Sequence, residues 1–462
     1  MNDKEIIAHQ ALIIAEQAVM IAELKAQIIE LQSLVSKLSK QSVMKSSKNS
    51  HKPPSSDLMY KNQSLRPKSD KPIGGQKGHE GHTLKMSKNP TSIEKKYPSY
   101  CNRCGLSLES NDFVLKQRRQ MIDIPPIEPI ITEYQSYGTV CACGHCQVAD
   151  FPQGIDNYIQ YGPNIQSLTV YQSYYQFIPF ARLQDFFAKV CNLAISKGTL
   201  ENIIRRTSEK ALLAYDEIHK VIPLSLYVGS DETGYKLNGK KGWFWVWQTS
   251  LLTYIVASKS RSKKVIEDTF PEGLPNSILC SDRLAAQLST LCQGHQICLA
   301  HLLRDTNYLI KAEETSWISR FKHLLKEAIA LKQQQPEYNG NNTKCLRIEG
   351  VLNDLLSDVQ LQLLLLDPQK HKQTITFFRA MRKVRNGLLL FLYHQDLPFD
   401  NNGSERAIRM IKVKTKISGQ FKSLQHEFAV IRSVIDTTIK NGQSVMFAIQ
   451  AIVKLVLNPL AG

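Results

Sequence analysis

Three short acidic stretches restrict this chain more than any other feature: Ser230-Asp231-Glu232-Thr233, Cys280-Ser281-Asp282-Arg283 and Asp400-Asn401-Asn402-Gly403-Ser404-Glu405-Arg406. The first two follow the runs Tyr227-Val228-Gly229 and Ile278-Leu279-Cys280, which read as strands. The third opens a helix, with Asn401 or Asn402 as its N-cap. Acids at strand ends and in a first helical turn can converge on one point, so Asp231, Asp282 and Glu405 form a candidate metal-binding triad. Hard cations such as Mg²⁺ take a few carboxylate oxygens plus waters, and two such ions can cut a phosphodiester in line. Mn²⁺ is the expected substitute.

The strand texture begins near Leu224. Asn238-Gly239 signals a two-residue hairpin, and residues 243–247 and 254–257 follow as strands. A helix over 263–269 and strands over 277–281 and 296–300 complete a pattern of three antiparallel strands followed by alternating helix and strand. That order predicts an α/β layer of the ribonuclease H type over 222–301 and 396–462, interrupted by an all-helical insertion at 302–395.

The N-terminal half is organised differently. Residues 1–40 place Ile7, Ile14, Ile21, Leu24, Ile28, Leu31, Val35 and Leu38 at heptad spacing, with Gln10 and Gln17 at core positions upstream. This predicts a coiled coil that joins chains as a dimer or higher oligomer; a helix folding back on its own chain is the alternative. Residues 41–97 are poor in apolar side chains, with ten Lys or Arg against three acids between Lys45 and Lys88, and predict a basic flexible linker.

Over 98–152, Cys101-Asn102-Arg103-Cys104 and Cys143-Gly144-His145-Cys146 are separated by 38 residues, the pattern of a structural Zn²⁺ site of ribbon type. Cys141 and His145 are alternative donors. Residues 160–218 read as a helical DNA-binding region, where Ser196-Lys197-Gly198-Thr199 leads into a helix bearing Arg205 and Arg206, in the manner of a helix-turn-helix. The whole is a multidomain α+β chain.

The formal net charge of +17 suits a polyanionic partner. Arg406, Arg409 and Lys412 form a basic row around Glu405, and His301 and Arg304 add to it as candidate DNA contacts. The longest apolar runs are too short to span a bilayer, and residues 1–10 carry Asp3, Lys4 and Glu5, so the expectation is a cytoplasmic, nucleoid-associated protein without a membrane role.

In the order and spacing of these motifs, including Gly74-Gly75-Gln76-Lys77-Gly78-His79-Glu80-Gly81, Tyr161-Gly162-Pro163-Asn164 and Cys298-Leu299-Ala300-His301, the chain resembles transposases of the insertion-sequence-66 family, within the DDE superfamily. The resemblance implies that Asp231, Asp282 and Glu405 cut and join DNA ends on Mg²⁺, acting on terminal repeats and target DNA, with small accessory proteins as further partners. Where family members more often carry Asp-Gly-Tyr, this chain has Asp282-Arg283-Leu284. Two readings compete with it. One is a DNA-binding regulator on a decayed core, and the other is a ribonuclease H-like nuclease acting alone.

Overall fold

A computed structural model describes residues 16–34, 84–110, 112–313, 315–334, 343–362 and 366–456. The expectations for residues 1–15 and 35–83, which include part of the heptad pattern and the glycine-rich strip, lie outside the described residues, as do those for 457–462.

Residues 16–34 form helix α1, exposed along its length. Ile21, Leu24, Ile28 and Leu31, the heptad positions, stand 52 to 61 % exposed, so among the described residues nothing covers this apolar face. Residues 84–157 are largely extended and exposed. Their ordered pairing is a bridge between Tyr100 and Ser107 and a small hairpin of β1 (Gly138–Val140) and β2 (Cys146–Val148).

From Pro163 onward the chain builds a core. Helices α2 (Pro163–Val170), α3 (Phe180–Val190) and α4 (Lys197–Val221) precede strands β3 (Tyr227–Leu237), β4 (Lys240–Gln248) and β5 (Thr253–Ser258). Then come α5 (Lys263–Thr269), β6 (Leu274–Ser281), α6 (Ala285–Leu288) and β7 (Cys292–Ile297). The sheet order is β5-β4-β3-β6-β7, with β3, β4 and β5 antiparallel and β3, β6 and β7 parallel. Asn238 and Gly239 both take positive φ (47° and 78°), as a tight right-twisting hairpin requires.

Strand β7 begins and ends earlier than its sequence suggests. The run Cys-Gln-Gly-His-Gln-Ile is too polar to read as a strand, yet it pairs with β6 in parallel from Leu274↔Cys292 to Ser281↔Ile297. Cys298 therefore lies at the strand's exit and His301 on the next helix, α7 (Leu299–Glu313). Helices α8 (Ser316–Gln334), α9 (Thr343–Gln362) and α10 (Lys372–Lys383) follow, with a core of their own around Trp317, Phe321 and Phe378 that reaches Ile278 and Ile297 of the sheet.

Helices α11 (Asn402–Ser418), α12 (Gln425–Lys440) and α13 (Val445–Lys454) close the structure. Alternation along β4 sends Phe244 and Val246 to one face, with Ile411 and Phe428, and Trp245 and Trp247 to the other, with Ile218 and Phe270. All four β4 side chains are fully buried, and truncating one such aromatic costs about 3–5 kcal/mol. The region expected as separate helices at 160–218 shares these cores: Ile203 and Ile204 of α4 pack with Phe428, and Tyr215 with Trp247.

Helix α12 also covers the free edge of β5. Ser433 Oγ accepts from the Ile255 amide (2.9 Å) and Thr437 Oγ1 from the Thr253 amide (3.0 Å).

Candidate active site

Parallel strands β3 and β6 set Gly229 opposite Cys280. Asp231 and Asp282 each lie two residues further on. Asp282 follows the end of β6 as expected, but β3 runs on through Asp231 to Leu237 because its far half pairs with β4. Asp231 is therefore a mid-strand residue and not a strand end. Arg283 takes a left-handed backbone (φ 59°), turning the chain sharply after Asp282. Burial raises the Asp231 carboxyl well above the ordinary range, and the negative charges of Asp282, Glu232 and Glu405 push the same way. Its opposing contact is the Glu232 amide, at 2.8 Å.

Glu405 arrives on the first turn of α11. Ser404, Ala407, Ile411 and Lys414 are the buried stripe of that helix, and Glu405 borders it, 25 % exposed. Its Oε1 lies 3.4 Å from Arg304 Nη2 and 3.6 Å from His301 Nε2. The sequence places His301 near the site, on a phosphate or orienting a carboxylate, and Arg304 on the same DNA strand; here both lie beside the Glu405 carboxylate. Lys412, two turns after Glu405 on the same helix, donates to the Gly234 carbonyl (3.2 Å) and feels the Asp231 charge. Arg406 and Arg409 point outward and are exposed.

The entry to α11 is pinned from three sides. Asn401 is the N-cap residue, but its side chain makes no cap bond. Instead Nδ2 donates to the Ser230 carbonyl (2.7 Å), directly before Asp231, while Oδ1 accepts from Ser404 (2.7 Å). Asp400 takes over the capping, accepting from the Asn402 amide (3.0 Å). The Asn401 amide donates to Cys298 Sγ (3.2 Å), and the Leu299 amide to the Phe399 carbonyl (2.9 Å). Burial pushes the Cys298 thiol up to about 12, so this sulfur serves as a neutral joint between β7 and α11. His301 Nδ1 sits 3.3 Å from the same sulfur.

Glu232, the acid directly after Asp231, has partners of its own. Arg261 Nε donates to it at 2.8 Å and Gln287 Nε2 at 3.3 Å, and Gln287 also reaches Ser230 Oγ (3.2 Å). Strand alternation puts Glu232 on the face opposite Asp231. Arg283 pairs with Asp305 of α7 (2.6 Å) and lies over the Phe377 ring of α10, so the residue after the second acid is clasped by the helical insertion. Gln287 and Arg261 carry no spacing signal in the sequence, an amide and a loop arginine, and Asn401 is legible there only as an N-cap.

Elsewhere the predicted residues are less gathered. Cys101 and Cys104 share one turn, in which the Arg103 amide, then Cys104, lowers the Cys101 thiol pKa. In the second turn it is Cys141 that is lowered, by Cys143, while Cys146 opens β2. The expected site of Cys101, Cys104, Cys143 and Cys146 is not drawn together, since the segment has no core to bring its two turns into contact. Among the described residues no group of three His, Cys, Asp or Glu side chains is close enough to enclose a cation. The donor chemistry of Asp231, Asp282 and Glu405 still fits a hard cation: three carboxylates, two of which add their negative charge to the burial that raises the third, Asp231.

The expected helix-turn-helix also differs in form. Ser196 caps α4, its Oγ accepting from the Thr199 amide (3.1 Å), so Gly198 lies inside the helix and the connection from α3 is residues 191–196. Arg205 and Arg206 are both exposed, and Arg205 pairs with Glu427 of α12 (3.2 Å).

The core from α2 to α13 is thus a mixed α+β unit, with Asp231 within β3, Asp282 just past β6 and Glu405 on the first turn of α11. Residues 158–427, more than half of the chain, match the model of the transposase IS66 family, and the chain belongs to that family. Residues 7–85 match a second model, a family of unknown function. Comparison with curated proteins gives no match. Among the described residues no helix is long and apolar enough to cross a membrane.

Proposed function

We propose that this chain is a DNA transposase that cleaves the ends of its insertion sequence and joins them to target DNA, with a ribonuclease H-like catalytic core. The observation that carries the reading is the family match over residues 158–427. The placement of Asp231 and Asp282 on adjacent parallel strands, with Glu405 raising the Asp231 carboxyl as Asp282 does, supports it. The sheet order, three antiparallel strands and then two parallel ones, supports the ribonuclease H-like assignment.

Asp231, Asp282 and Glu405 would hold Mg²⁺, which when bound supplies charge neutralisation for an in-line phosphoryl displacement. The protein's own part is placement. Strand pairing fixes Asp231 beside Asp282, and Asn401 ties the α11 entry to the residue before Asp231. Arg304 and His301 orient the Glu405 carboxylate. Lys412, Arg406 and Arg409 give the scissile backbone cationic neighbours without sequence preference.

The exposed heptad face of α1 supports association through residues 1–40, and the paired thiols in the cysteine turns support a Zn²⁺-held module. Arg205 and Arg206 of α4 are both exposed, and Arg205 also pairs with Glu427; both stay as candidate DNA contacts.

The test uses the purified full chain, Mg²⁺ and a duplex carrying the ends of the insertion sequence. Nicking and joining are expected, and Asp231→Asn or Glu405→Gln abolishes both while DNA binding persists. Full activity in both variants sinks the catalytic assignment. Binding with no cleavage by the parent chain favours a regulator.

A further inference from the structure

We propose that Gln248 is a positioning residue for the acid cluster: wedged between Gly229 and Gly403 and held from behind by Lys440, it sets the separation between the strand bearing Asp231 and the helix bearing Glu405. The inference rests on the catalytic reading above and names the device that fixes its geometry.

Two glycines carry the argument. Gly229 lies two residues before Asp231, and Gly403 two residues before Glu405. A Cβ added at Gly403 would stand 2.4 Å from Gln248 Nε2 and 2.6 Å from its Cδ. One added at Gly229 would meet the same Nε2 at 2.4 Å, Asn401 Oδ1 at 2.7 Å and Ser404 Oγ at 2.9 Å. Neither glycine has a left-handed backbone, so contact and not φ excludes a side chain at both places. The Gln248 amide fills the resulting slot.

The amide is not free to swing away. It is 5 % exposed, on the last residue of β4, directly opposite Gly229 in the antiparallel register. Its Oε1 accepts from Lys440 Nζ at 2.8 Å, and the same ammonium donates to the carbonyls of Thr249 and Leu252 at 2.7 Å each. Lys440 is the last residue of α12, so three acceptors at the β4–β5 turn fix it and it fixes Gln248 in turn. A spacer anchored this way transmits the position of β4 and α12 to both acids. Reaction geometry is sensitive at this scale, since a misplacement of about 1 Å can cost about 100-fold in rate.

The experiment compares the parent chain with Gly403→Ala, Gln248→Ala, the double variant and Asp231→Asn, all full length. It reads cleavage kcat, DNA affinity, and the Mg²⁺-dependent rise in Tm without DNA. In Gly403→Ala the new methyl strikes the Gln248 amide. The expected result is a fall in kcat of about 100-fold, a higher Mg²⁺ concentration for half of the Tm rise, and unchanged DNA affinity. The double variant lacks the obstructing amide and recovers a large part of that kcat. A merely structural role would lower Tm with neither the Mg²⁺ shift nor the rescue.

Gly403→Ala at parental kcat, or a double variant no better than the single, overturns the proposal. If Gly403→Ala does not fold, Gln248→Ala alone decides: a lower kcat and a raised Mg²⁺ requirement support the spacer, and parental values of both overturn it. Asp231→Asn keeps the two levels apart. Cleavage by that variant removes the catalytic reading itself, whereas an inactive Asp231→Asn beside a normal Gly403→Ala removes the spacer alone.

Discussion

The acid cluster and the cysteine turns are both built from residues distant in sequence, but they reach their geometry by opposite routes. Around Asp231 every approach is fixed by burial: strand register, two glycines, an amide on a buried lysine, and Asn401 bonded to the Ser230 carbonyl. Around Cys101 and Cys143 the chain is exposed on all sides, and hydrogen bonds stay within each turn. A packed core can hold charged groups in place before any ligand arrives. A segment without one needs the ligand, or another macromolecule, to supply the organising energy.

The sharpest way to break this contrast is at the acids. Asp231→Asn is expected to lower cleavage by at least about 1,000-fold, on the order of 4 kcal/mol in the barrier. In the absence of Mg²⁺ it raises Tm, because it removes one of several repelling carboxylates. A variant that is inactive but less stable would mean the carboxylate serves the fold and not the chemistry.

Next in size is the response of the cysteine half to metal removal. A strong chelator, or Cys104→Ser with Cys146→Ser, is expected to speed proteolysis within residues 98–152 by roughly tenfold or more. The Tm of the core should stay put. A matching fall in core stability would show that the two regions are coupled.

Asn401→Ala tests the core side at a single joint. It leaves the Ser230 carbonyl and Ser404 hydroxyl unsatisfied in a buried place, at a cost of about 1–3 kcal/mol. Calorimetric or denaturant unfolding checks the cost, and an unchanged stability would return Asn401 to the surface.

The smallest effect concerns Lys414, which is buried with the Ser173 carbonyl at 3.5 Å and sits over the Tyr174 ring. Burial pushes its amino group down to about 8 from the ordinary 10.5. Between those values the unfolded chain holds the extra proton, so stability rises as pH climbs from about 8 to 10.5 and is lost as pH falls through that window. Lys414→Met should flatten this slope and add roughly 1 kcal/mol at pH 7. Unfolding curves across pH 7–10 would check both.

Much of the sheet was legible because its signals are local. Asn238-Gly239 could only be a tight turn, and residues 263–269 are helical as their pattern says. Asp282 follows a recognisable strand, whereas the strand before Asp231 continues past it to Leu237. Strand β7 was only partly legible, because Gln293, Gly294, His295 and Gln296 owe their strand conformation to pairing with β6. The long α4 was read as a groove-entering helix since exposed Arg205 and Arg206 flank apolar residues. Its partners on α12 lie more than 200 positions away, and no local pattern reports them. The slot between Gly229 and Gly403 was equally hidden. Glycine in a sequence says that space is needed and not what occupies it.

The hydroxyls of Ser433 and Thr437 that occupy the amides of β5 have a bearing on crowding. Several copies of a basic protein gathered on one nucleic acid would bring sheet margins together at high local concentration. With those donors already taken, neighbouring molecules cannot lengthen the sheet there by annealing strand to strand.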